Sequence, residues 1–108
     1  MSLELQTRLS QYFDAINAHR PDDVAALFSP HGLVHAQGQD HCGNDAIRDW
    51  ADDTFRRFAL RVIPSDVRQE AGVTLVRAQV AGAFIGSPIH QLYRFKTSKD
   101  AIEELIIA

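Results

Sequence analysis

The sequence predicts an α+β fold, with N-terminal helices packed in the concavity of a strongly curved, mostly antiparallel sheet. Two observations carry the prediction: apolar residues recur at three- and four-residue steps as far as Phe58, and from Leu60 onward they alternate with a period of two. A third sets the scale. With 108 residues, 45% of them apolar, the chain has material for one core and one domain, read as residues 1–108.

The first helix follows from Leu5, Leu9, Tyr12, Phe13 and Ile16, a stripe that stops near Asn17-Ala18-His19-Arg20. Pro21 suits the first turn of a second helix, Asp22 and Asp23 lie favourably against its dipole, and Val24, Leu27 and Phe28 give it a short buried face. Ser29-Pro30-His31-Gly32 is expected to break the chain, residues 33–37 to run extended, and residues 38–43 to form a polar loop. Asn44 then offers an N-cap for a third helix whose buried stripe is Ile47, Trp50, Ala51, Thr54, Phe55 and Phe58. Its charges pair at a spacing of four, Arg48 with Asp52, Asp52 with Arg56 and Asp53 with Arg57. They read as a solvated face, each pair worth about 0.3–0.5 kcal/mol.

Residues 60–70, 73–84 and 89–97 are rich in β-branched and aromatic side chains and are punctuated by Gly72, Gly86 and Pro88, giving three strands of a curved meander. Pro64 implies an edge position or a bulge in the first of them, and Gly82 a sharp bend near the end of the second. In the tail, residues 101–108, Asp100 could cap a helix, but Ile106-Ile107 after a Ser98-Lys99-Asp100 turn favour a final strand.

Composition limits the partners. Eleven basic against fourteen acidic residues, a formal net charge of -3, argue against nucleic acid or an anionic membrane. No apolar run of about 18 residues and no signal-peptide pattern is present. Cys42, the single cysteine, can neither close an internal disulfide nor contribute a pair to a structural zinc, so a reducing, cytoplasmic setting is expected. His35, Asp40, His41 and Cys42 lack the spacing of a metal site. Neither a metal nor an organic cofactor is expected.

The strings QYFDAINAHRPDDVAALFSPHGLVHAQG, NDAIRDW and AGAFIGSPIHQLYRF together resemble a SnoaL-like protein of the nuclear transport factor two superfamily, which also contains the ketosteroid isomerases. The resemblance covers nearly the whole chain and rests on spaced apolar and turn residues. It implies a cone-shaped α+β barrel, a bent sheet wrapped against a long N-terminal helix, an apolar pocket with one open end, and a homodimer formed through the sheet.

Carried over residue by residue, the isomerases' helix-one tyrosine falls on Tyr12, whose phenol would stabilise a ligand oxyanion. The alternative is a core tyrosine whose hydroxyl finds a backbone partner. The position of the isomerase base falls on Ala36, which cannot accept a proton. His35 beside it is the substitute, or else a rim histidine, since neighbours on a strand point to opposite faces. The protonated aspartic acid of the isomerases corresponds to Gln91, which either meets a ligand carbonyl or is satisfied by neighbouring strands. Phe28, Val34, Ala36, Trp50, Phe55 and Tyr93 complete the implied pocket lining, although the same spacings suit a plain core. Two functions are implied: proton transfer next to a carbonyl on an apolar, even polycyclic, substrate, with Tyr12, His35 and Gln91 as the catalytic set, or a non-catalytic module of the same fold that binds an apolar small molecule or offers its dimer surface as an interaction platform.

Overall fold

In a computed structural model, which describes residues 6–99 and 101–108, three helices lie against one face of a six-stranded mixed sheet that does not close. The α+β architecture with helices in the concavity of a curved sheet is therefore the observed one.

Helix α1 (Thr7–Asn17) buries Leu9, Tyr12, Phe13, Ala15 and Ile16; Leu5 lies outside the described residues. It ends where His19 turns into the left-handed region at φ 55°. Helix α2 (Pro21–Ala26) begins at Pro21 but stops sooner than the apolar spacing suggests. Phe28 is not helical: it opens β1 (Phe28–Ala36), and the expected break at residues 29–32 lies inside that strand. The breaker residues act on register instead. Pairing with the last strand slips between Phe28 and Leu33, and a Cβ on Gly32 would sit 2.9 Å from that of Phe28, so the slip requires glycine there.

The expected polar loop is a hairpin. Gln37 and Gly38, at φ 52° and 76°, form a two-residue turn, and β2 (Gln39–Cys42) pairs back on β1. Gly43, not Asn44, takes the cap position of α3 (Asn44–Phe58). The Asn44 amide has other partners: Nδ2 donates to the carbonyls of Ala25 at 2.9 Å and Phe28 at 3.2 Å, tying α3 to the α2–β1 junction. On the exposed face, Asp52 meets Arg56 at 2.7 Å and Asp53 meets Arg57 at 3.4 Å. Arg48 reaches Asp49 at 3.4 Å and Asp22 at 4.0 Å in place of the expected Asp52.

The strands β3 (Arg61–Glu70), β4 (Val73–Ala81), β5 (Ile89–Thr97) and β6 (Ile102–Ile107) complete the sheet in the order β2-β1-β6-β5-β4-β3. Pro64 has both of its expected properties, lying on the outer strand β3 and beside a bulge between Pro64 and Asp66. β4 ends three residues before Phe84 because the chain must pass under the end of α3. A Cβ on Gly82 would lie 2.5 Å from the Phe58 carbonyl, and Ala83 N–H donates to that carbonyl at 2.7 Å. The tail is a strand, and β6 runs parallel to β1 and antiparallel to β5, so it joins the two halves of the sheet. Among the described residues no helix is long and apolar enough to cross a membrane.

Candidate functional site

Helix α1 and the inner faces of β1 and β5 meet in a cluster of aromatic rings. Tyr12 contacts Phe13, Phe95 and Phe28 edge-on at centroid distances of 5.2, 5.3 and 6.3 Å, and Tyr93 stacks on Phe95 at 6.3 Å. These rings are almost fully buried, as are Val34, Ile102 and Leu105 around them. Among the described residues these side chains are all buried, and this side is the closed end of the cone.

Toward the other end the same strands carry smaller or more polar residues, and a cavity opens. Its inner chamber, about 60 Å³, lies between Tyr12 and Ile16 of α1, Trp50, Ala51 and Phe55 of α3, and Ala36, Gln91 and Tyr93 of the sheet. An outer chamber of about 180 Å³ continues it toward solvent, walled by Phe58, Val80, Phe84 and Ile89. Gln37, Thr54, Leu60 and Gln91 border both chambers, so three polar side chains ring the passage between two apolar spaces.

The polar groups of the inner chamber are uncharged hydroxyls and amides. Among the described residues, the Tyr12 hydroxyl has no hydrogen-bond partner, and no fully buried side-chain oxygen is left unpaired. The hydroxyl is therefore open to the cavity. Burial strips water from the phenolate form and raises the Tyr12 pKa well above 10, with the neighbouring Tyr93 adding to the rise; burial raises Tyr93 in the same way. Both phenols keep their protons at neutral pH. Tyr93 Oη donates to Gln91 Oε1 at 3.4 Å, which leaves the Gln91 amide nitrogen as a second donor toward the cavity. Among the described residues no carboxylate, imidazole, lysine or arginine lines either chamber.

Of the nine residues singled out from the sequence, Tyr12, Ala36, Trp50, Phe55, Gln91 and Tyr93 line the inner chamber. Phe28 and Val34 do not. They are core residues of the closed end, at 4% and 0% exposure, because the strand places them below Ala36. His35 does not reach the cavity either. Val34 and Ala36 point inward, so His35 points outward, where its Nδ1 pairs with the carboxylate of Asp40 across the β1–β2 hairpin. The role of proton carrier for His35 is withdrawn on this geometry. His41 instead lies against Trp50 at 5.9 Å, Cys42 is exposed, and among the described residues no three potential ligands converge on a metal.

The sequence reading missed Gln37 and Thr54 as lining groups. Thr54 comes one helical turn after Trp50 and so shares its face, which was a readable signal; Gln37 depends on the unforeseen hairpin. It also missed two residues that hold the wall. Asn17 Nδ2 donates to the Val62 carbonyl at 2.8 Å while its Oδ1 accepts from the Val62 N–H at 2.7 Å. His19 Nε2 bonds the Leu60 carbonyl at 2.8 Å, and its ring stacks on Phe55 at 5.0 Å. A wider groove of about 530 Å³ between α1 and α2 is bordered by Gln11, Asp14, Arg20 and Asp23, but among the described residues no buried polar group points into it.

The fold and sequence have known counterparts. A candidate polyketide cyclase from Sinorhizobium meliloti is 30% identical, with 96% of this chain and 95% of that one aligned at a TM-score of 0.92. A protein of ketosteroid isomerase-like fold from Catenulispora acidiphila, solved with trimethylamine, is 16% identical over 97% and 86% of the two chains at 0.86. The epoxide hydrolase/cyclase-like enzyme of pyran-ring formation in salinomycin is 14% identical over 93% and 85% at 0.78. These last two share the fold. No curated protein matches significantly. The profile of the SnoaL-like domain covers residues 9–101, nearly all of the helices and strands that build the cone, and the chain belongs to that family.

Proposed function

We propose that the cone binds a small, uncharged, mainly apolar molecule by an oxygen atom that accepts a hydrogen bond from Tyr12. The observation that carries this is an unpartnered phenol, held protonated by burial, at the wall of an apolar cavity whose described lining residues carry no charge. The matching ligand atom is a carbonyl or hydroxyl oxygen. Trp50, the chain's one tryptophan, lies on the cavity wall and reports occupancy by fluorescence. Titration with small ketones is expected to saturate, and Tyr12→Phe to weaken binding about tenfold, the worth of one hydrogen bond of about 1.4 kcal/mol. Equal affinity of the two proteins would remove Tyr12 from the site.

A second reading is enzymatic, of isomerase or cyclase type, and is favoured by the 30% identity with the candidate polyketide cyclase. Here Tyr12 polarises the carbonyl and the proton passes to water or to a group of the substrate, because the described lining residues supply no base. Deuterium exchange next to a bound carbonyl, monitored by NMR, separates the readings: acceleration by the protein establishes catalysis, and exchange at the buffer rate leaves a binding protein.

The outward side of the sheet supports pairing of two copies. Ile63 on β3 and Leu92 on β5 are 53% and 41% exposed there. Sedimentation as a 12.1 kDa species at micromolar concentration would exclude the homodimer. The exposed, unpaired Cys42 suits a reducing, cytoplasmic location.

A further inference from the structure

We infer that the ligand carries a second polar group, a hydroxyl, which lies in the passage between the two chambers and is bound there by the side chains of Gln37 and Thr54. The inference rests on the binding function proposed above, in which Tyr12 takes the first oxygen. It adds a ligand class, molecules with two oxygen functions, and names the residue that selects it.

Two hairpins of the sheet turn on the same backbone. Gln37-Gly38 joins β1 to β2 at φ 52° and 76°, and Ala71-Gly72 joins β3 to β4 at φ 47° and 79°. In both, the first residue of the turn is left-handed, a position where glycine or asparagine is the least strained choice. Ala71 shows that the turn itself asks for no side chain beyond a methyl group. Ala71 borders neither chamber, whereas Gln37 borders both. Of the other left-handed residues with a β-carbon, Ala59 ends α3, and His19 is held by the protein, through its bond to the Leu60 carbonyl and its stacking on Phe55. Among the described residues no such contact engages the Gln37 amide. A long polar side chain in a strained position, beside a cavity and with no protein partner, points to a partner inside that cavity.

Thr54 meets the same passage from α3. It is half-buried, and a β-branched side chain is stiff about χ1, so its hydroxyl cannot swing out to water as a longer chain can. A ligand that fills both chambers lies through this passage. If hydrocarbon fills it, the Thr54 hydroxyl and the Gln37 amide lose water and gain nothing in its place, which weakens binding. A ligand hydroxyl both donates and accepts, as do the two side chains, so it can satisfy one as donor and the other as acceptor. An ionised group finds no counter-charge, since among the described residues no charged side chain lines either chamber.

The test uses the whole protein and three probes, cyclohexanone, 3-hydroxycyclohexanone and 4-hydroxycyclohexanone, read by Trp50 fluorescence and by calorimetry. At least one hydroxyketone is expected to bind about fivefold more tightly than cyclohexanone, the worth of one added hydrogen bond. In Gln37→Ala and in Thr54→Val that ratio is expected to fall to about two or less; damage to packing alone lowers both affinities and leaves the ratio in place. The urea midpoint of Gln37→Ala is expected to equal that of the wild type, because Ala71 closes the same turn; Gln37→Gly takes its place if the alanine variant does not fold. Hydroxyketones that bind no more tightly than cyclohexanone, or a ratio that either variant leaves intact, would overturn the inference and leave the binding function standing. A clear fall of the urea midpoint in Gln37→Ala would assign the side chain to the fold and overturn it as well. If none of the three probes gives a saturable signal, the binding function fails and the inference fails with it.

Discussion

The two ends of the cone are built on the same strands and differ by a few atoms per position. Along the inner face of β5 the residues run Phe95, Tyr93, Gln91; along β1, Val34 is succeeded by Ala36; along β4, Val76 by Ala78. Ala78 lies directly across from Gln91, so the smallest inward side chain of β4 faces the most polar inward one of β5. At the closed end large apolar side chains fill the space between sheet and helices. At the mouth, small and amide-bearing ones leave it empty and place donors around it. In a chain of this length the cavity exists because packing is relaxed at one end of the strands, with the other end left to hold the fold.

The sharpest way to break the contrast is at the closed end. Phe95→Ala removes a fully buried ring from the aromatic cluster and is expected to cost about 3–5 kcal/mol, measured as a fall in the urea midpoint. A loss below about 1 kcal/mol would mean that the closed end is not the stabilising one.

Alkaline pH tests the tyrosines that stand between the ends. Their folded pKa values are raised above the unfolded value of 10, so below pH 10 both states are protonated and stability is flat. Above pH 10 the unfolded chain loses its phenol protons first, and stability falls by about 1.4 kcal/mol per pH unit per tyrosine. Urea midpoints from about pH 8 to 11.5 are expected to decline less steeply in Tyr12→Phe and in Tyr93→Phe; parallel curves for variants and wild type would contradict the burial of these hydroxyls.

At the mouth the expected pattern reverses. Ala36→Leu adds three carbons to a chamber of about 60 Å³, so small-ketone binding is expected to be lost, at a stability cost no larger than the about 1–3 kcal/mol of an overfilled site. Unaltered ketone affinity in this variant would place the ligand elsewhere. The smallest effect belongs to the outer surface: His35→Ala breaks an exposed pair with Asp40 and is expected to shift stability by no more than about 0.5 kcal/mol, with ketone affinity unaltered. A tenfold loss of affinity would return His35 to the site.

How far the sequence discloses the fold depends on the range of the interactions concerned. The helical stripe of Leu9, Tyr12, Phe13 and Ile16 and the alternation of Gln91, Tyr93 and Phe95 are local patterns, and they locate both elements and their buried faces. Phe28 reads as helical because its spacing from Val24 fits a helix, whereas its partner is Ile102, in the last strand. Asn44 carries the composition of a cap, but its amide is used by carbonyls at the α2–β1 junction, which no local rule reveals. Within the site, Tyr12 and Gln91 are legible as polar groups on apolar faces. The outward direction of His35 is contained in the same alternation that puts Ala36 inside; a family position, and not the strand's geometry, makes it a candidate at all.

Asn17 has an effect well away from the cavity. β3 is an outer strand, and the unused N–H and C=O groups of such strands ordinarily recruit a strand from another molecule. Here the side chain of Asn17 occupies both groups of Val62, Pro64 has no N–H to offer, and the bulge before Asp66 shifts the remainder of the strand out of step. An incoming strand finds no free groups in register from Val62 to Pro64, so the asparagine that steadies the wall also blunts that stretch of the edge against pairing with another molecule.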